Sequence, residues 1–92
     1  MTGIELIAKE RQEQIEKHGR TIEYDASQNI DGQLAHAASV LSYPYHYADD
    51  IDDTPYDWNI DLFKKMRNKP RIEQLVIAGA LIAAEIDRLK AQ

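Results

Sequence analysis

Apolar positions along this chain fall at helical rather than strand spacing. Between residues 3 and 18, Ile4, Ile7, Ala8, Arg11 and Ile15 share one face at a period near 3.6, which predicts a helix over that stretch. Thr2 and Glu5 have capping-box spacing, and Gly19 follows His18 where a helix closes with positive φ. Arg11 stands at the centre of the stripe, with Glu10 and Gln14 on one flank and Glu13 roughly opposite. An arginine so placed either snorkels or pairs with an acid on a neighbouring helix, or it acts as a phosphate or carboxylate clamp.

Residues 20–31, "RTIEYDASQNID", hold no sustained period and are predicted to be a loop ending in a helix cap at Asn29 or Asp31. A second helix is predicted over 32–42, with Leu34, Ala37, Ala38 and Leu41 on its apolar face and Pro44 stopping it. His36 points away from that face and has no second ligand at helical spacing. The third helix, over 71–90 behind Pro70, has one stripe of Ile72, Leu75, Val76, Gly79, Ile82, Ala83, Ile86 and Leu89. Its other side carries Ile77, Ala80, Leu81 and Ala84, so the helix is expected to be buried on both sides. The chain itself supplies one partner; a second copy would supply the other. No strand-like alternation occurs. The predicted architecture is all-α, a single domain over 1–92 built as a small helical bundle of three main helices.

A long acidic and aromatic loop is predicted over 43–69, before the last helix, with a short helix in "WNIDLFKKM". Its Asp50, Asp52, Thr54, Tyr56 and Asp61 loosely follow an EF-hand, but Pro55 stands where the sharp turn needs glycine and the last ligand is Asp rather than Glu. A solvated connection is the simpler reading, with Tyr45, Tyr56 and Trp58 packing back over the helices. The sharper one has a ring stacking on a base or another planar ligand.

Charge narrows the partners. A net charge of −5 and a pI near 5.0 oppose duplex nucleic acid and anionic membranes, which select clustered Lys and Arg. With no cysteine there is no disulfide framework and no thiolate ligand or nucleophile. The longest apolar run, Leu75 to Ala84, is about half of what a bilayer requires, and the N-terminus lacks a signal-peptide pattern. A soluble cytoplasmic protein is expected.

Three stretches in order, "ERQEQIEKHGRT", "DGQLAHAASVLSY" and "LVIAGALIAAEIDRL", resemble small phage and prophage proteins associated with the MazG-like, all-α nucleoside triphosphate pyrophosphohydrolases, including those acting on dATP and dGTP. The resemblance implies a helical dimer or tetramer in the cytoplasm of a bacterial or phage-infected cell, cleaving a (d)NTP to (d)NMP and pyrophosphate. It implies Mg2+ or Mn2+ held by an E-x-x-E and a following E-x-x-D pattern on facing helices, because carboxylates three apart share a helix face.

In this chain the pattern is incomplete. Glu10, Glu13 and Glu16 overlap on the first helix, Gln33 stands where such phage proteins commonly carry glutamate, and Glu85 and Asp87 are about 200° apart around the last helix. Glu10 and Glu85 flank apolar stripes and are the catalytic candidates; with Glu13 they form the candidate metal set. Arg11 and Gln33 are candidates for contacting phosphate, and Tyr56 or Trp58 for stacking on the base. The alternative is a non-catalytic phage-type protein that sequesters a nucleotide or blocks a host protein.

Overall fold

A computed structural model describes residues 1–44 and 53–92. The described secondary structure is all helical: α1 Gly3–His18, α2 Ile22–Gln28, α3 Gln33–Ser42, α4 Ile60–Arg67 and α5 Arg71–Lys90. Among the described residues, α2 is added to the three main helices and the short one predicted in "WNIDLFKKM".

The ends of α1 follow the sequence closely. Thr2 Oγ1 accepts from Glu5 N at 3.2 Å, Glu5 accepts in return from Thr2 N at 2.9 Å, and Gly19 closes the helix at φ 65°. Its inner face does not. The buried residues of α1 are Arg11 and Gln14, whereas Ile4 is 82 % exposed.

The second helix was expected to be a loop. It is seven residues long, capped by Thr21 (accepting from Tyr24 N at 3.1 Å), and Asp25 is its one buried residue. It has no apolar stripe; what it brings inward is polar, so hydrophobic periodicity could not reveal it. Asn29 ends α2 rather than starting α3, and its N–H bonds Asp25 O. Asp31 is no side-chain cap either. The N-cap of α3 is Gly32 at φ 78°, a left-handed turn that glycine adopts freely and that aims no side chain at the helix end.

The core joins Leu34, Ala37, Ala38 and Leu41 of α3 to Ile77, Ala78, Leu81 and Ala84 of α5, with Phe63 of α4 closing one end. Alanines on both facing helices let the axes lie close. Arg71, the first residue of α5, clamps the pair: its guanidinium donates to Leu41 O (3.1 Å), Ser42 O (2.6 Å) and Tyr43 O (3.1 Å), satisfying carbonyls that the end of α3 leaves open. α1 crosses α5 at Gly79, where an added Cβ would lie 2.5 Å from Cδ1 of Ile7. That close approach requires glycine.

Within one chain α5 is buried on one side only. Gln74, Ile77, Ala78, Ala80, Leu81, Ala84 and Arg88 face inward, while Ile72, Leu75, Ile82, Ile86 and Leu89 remain 44–70 % exposed. No helix among the described residues is long and apolar enough to cross a membrane.

Candidate functional site

Polar groups from four parts of the chain meet inside the bundle and lead to one cavity. Asp25 of α2 is fully buried, and its Oδ1 accepts from Asn29 Nδ2 at 2.7 Å. Asn29 Oδ1 in turn accepts from the indole Nε1 of Trp58 at 2.8 Å. Each end of the Asn29 amide is therefore committed, and the series Asp25, Asn29, Trp58 fixes where the indole lies. One side of the ring carries the Arg20 guanidinium 4.8 Å from its centroid, and its edge meets Phe63 at 6.0 Å and 78°.

Behind this series stands Arg11, buried as its place on the stripe suggested. It donates to Arg20 O at 2.9 Å and lies 3.5 Å from Asp87 of α5, the acid on a neighbouring helix that the sequence led one to expect. The second distance is that of an ion pair rather than a tight hydrogen bond, and Asp87 is partly open to water, so its stabilising effect is modest. Glu85 pairs with Arg88 at 2.5 and 3.2 Å on the same helix.

Burial raises the Asp25 carboxyl above the usual range, against the Asn29 hydrogen bond and the charges of Arg11 and Arg20 that hold it down. Burial lowers the Arg20 guanidinium, partly offset by Asp25. Glu10 is also raised, chiefly by burial and then by Glu13 beside it.

A cavity of ≈ 290 Å³ opens between α2 and the start of α4. Arg20, Tyr24, Gln28, Asn29, Asp57, Trp58 and Asn59 form its polar side, and Leu62, Phe63 and Met66 its apolar floor. It combines one cation, one carboxylate, an indole, amide groups and an apolar wall, the composition of a site for a small polar ligand with a planar part. A shallower groove of ≈ 350 Å³ lies elsewhere, between Glu10 and Glu13 of α1 and Glu73 of α5, bordered by Lys9, Ile72 and Val76.

The residues nominated from sequence are thus divided. Trp58 lines the cavity. Tyr56 is 72 % exposed and does not. Arg11 lies in the interior behind the cavity. Gln33 is buried and occupied with the α2–α3 turn: its Oε1 accepts from Asp31 N at 2.7 Å and its Nε2 donates to Gln28 O at 3.3 Å. Glu10 and Glu13 share the shallow groove, while Glu85 is held by Arg88.

No group of three or more His, Cys, Asp or Glu able to hold a metal ion occurs among the described residues. Asp50 and Asp52 of the loose EF-hand pattern, and Tyr45, lie outside the described residues.

Sequence reasoning missed Arg20, Tyr24, Asp25 and Asn29, all in the segment read as a loop. The available signal was Thr21 followed three residues on by Tyr24 and then by Asp25 and Asn29 four apart, a cap and a one-face polar pair. In comparisons with known proteins, no family model, no curated protein and no solved structure matches the chain.

Proposed function

We propose that this chain is a nucleotide-binding helical protein, a degenerate relative of the MazG-like pyrophosphohydrolases, with its ligand in the cavity between Arg20 and Trp58. The observation that carries the reading is the cation and the fixed indole on one small cavity. A base stacks on or beside the ring, which needs no base-specific hydrogen bonds, and Arg20 meets a phosphate. The volume of ≈ 290 Å³ lies just below the range for small-molecule sites, about 300–1,000 Å³. Asn29 acts as a positioning residue through its bond to the indole. The resemblance makes a (d)NTP the expected ligand; the dispersed carboxylates favour binding over turnover.

Trp58 is the single tryptophan and reports on its own site. Titration with dATP, dGTP and the ribonucleotides should quench its emission saturably, equally with magnesium and with chelator. Arg20→Gln should weaken binding about 10- to 100-fold, the loss of a charged hydrogen bond. Unchanged emission at millimolar nucleotide would refute the reading. Metal-dependent pyrophosphate release, abolished by Glu10→Gln and Glu85→Gln, would replace it with the hydrolase.

A further inference from the structure

We propose that Asp57 is a specificity-determining residue of the cavity: it accepts a hydrogen bond from the ligand and turns away further phosphates, so that the nucleotide bound is a nucleoside monophosphate. The inference rests on the nucleotide reading of that cavity and narrows it.

The backbone supplies the first observation. Asp57 has φ 65°, and among the described residues every other positive φ belongs to glycine. It is the third residue of a tight turn, closed by Trp58 N donating to Pro55 O at 3.1 Å and anchored by the fully buried Pro55. Glycine is the usual occupant of such a position, and an aspartate there commonly offsets the strain by bonding its side chain to nearby backbone. Asp57 makes no such bond. Among the described residues its carboxylate has neither a hydrogen-bond nor an ion-pair partner. A residue held in a costly conformation, with its acceptors uncommitted, on the wall of a cavity and next to the indole that faces it, is placed for a ligand.

Charge supplies the second. Of the residues that line the cavity, Arg20 and Asp57 carry the charge, one of each sign. They do not pair. The charged groups that act on Arg20 are Asp25, Tyr24, Glu10 and Arg11, so Asp57 stands apart from it and the cavity has a cationic and an anionic part. Arg20 Nη1 is buried without an acceptor, an unmet charged donor that an anionic oxygen would satisfy. The Asp57 carboxylate requires the opposite, a donor. The ligand therefore carries an anion, a donor and a planar part for Trp58. A nucleoside monophosphate has all three, its donor being either a ribose hydroxyl or the exocyclic amine of the base. A triphosphate would bring further negative charge and further bulk into ≈ 290 Å³ where the protein's own charges already cancel.

Trp58 emission, titrated in chelator with AMP, ATP and dideoxy-AMP, tests this. The wild type should bind AMP at least about tenfold more tightly than ATP. Asp57→Asn tolerates positive φ and loses the charge, and it should reduce that preference at least about tenfold. Asp57→Gly should lose the preference too while unfolding at a higher urea concentration than the wild type, because glycine adopts the turn freely. A residue needed by the turn alone would move the urea midpoint and leave the preference unchanged. If Asp57→Asn weakens dideoxy-AMP as much as AMP, the donor is the base amine; if it weakens AMP alone, the donor is the ribose. ATP bound as tightly as AMP by the wild type, or a preference unaltered in Asp57→Asn, would overturn the inference while leaving the cavity a nucleotide site. Emission unmoved by all three ligands would overturn that reading and the inference with it.

Discussion

Replacing Gly79 by alanine sets two known effects against each other, and the structure says which prevails. In a helix interior the change should stabilise by about 1 kcal/mol, since glycine loses more backbone entropy on folding. The new methyl, however, would stand 2.5 Å from Cδ1 and 2.9 Å from Cγ1 of Ile7. Rotation about the outer bond of Ile7 relieves the first contact but not the second. Cγ1 moves only with the inner torsion, which is stiff for a β-branched residue in a helix. Overpacking of this kind costs about 1–3 kcal/mol, so Gly79→Ala should be net destabilising by about 1 kcal/mol.

In an Ile7→Ala background both offending atoms are gone, and the same substitution should stabilise by about 0.5–1 kcal/mol. The coupling between the sites is then about 2 kcal/mol, well beyond the usual departure from additivity. Urea denaturation of the four proteins measures it, through midpoints compared at a common slope. If Gly79→Ala stabilised both backgrounds equally, the close crossing of α1 over α5 would be refuted.

Asp25 predicts a pH dependence. Its carboxyl is raised in the folded state by burial, so the folded chain binds the extra proton; its favourable contribution is present at acid pH and lost as pH rises through the folded value. Relative to Asp25→Asn, which keeps the acceptor for Asn29, the wild type should gain stability between neutral and mildly acidic pH; a flat or opposite difference would refute the assignment. Gln33→Glu replaces the donor facing Gln28 O with a carboxylate oxygen and should cost about 1–3 kcal/mol at neutral pH, with part regained on acidification; an unchanged urea midpoint would show that Gln33 does not secure the turn. Asn29→Leu removes the acceptor for the indole and the donor to Asp25, so Trp58 emission should move to longer wavelength and stability fall by about 1–3 kcal/mol. Thr2→Ala should lower stability by about 1 kcal/mol through loss of the capping box, measured by thermal unfolding.

Most of the fold was legible where local rules act alone. The capping box at Thr2, Gly19 at positive φ, the span of α5 and the short helix within "WNIDLFKKM" all depend on residues within a turn or two of each other, and all appear. Trp58 was legible as a ring packing back over the helices, and Arg11 as a buried cation seeking an acid. Little else of the cavity was. Arg20, Tyr24, Asp25 and Asn29 sit in a segment without apolar periodicity, and what makes them a site is distance in space from Trp58, 29 positions beyond Asn29.

The sequence by itself determined an all-α chain, the ends of its longest helices and the apolar character of α5 on two sides, because capping and periodicity are local. Only the tertiary structure decided which of those sides is the core. Both stripes of α5 have comparable apolar content, but α3 offers a face rich in alanine that only a closely fitting stripe can meet, and Ile77, Ala78, Leu81 and Ala84 fit it. The larger side chains of the other stripe stay at the surface. Likewise Asp25 entered the interior of the fold, against the usual rule for acids, because Asn29 and two arginines were brought to it; no local pattern records such an assembly.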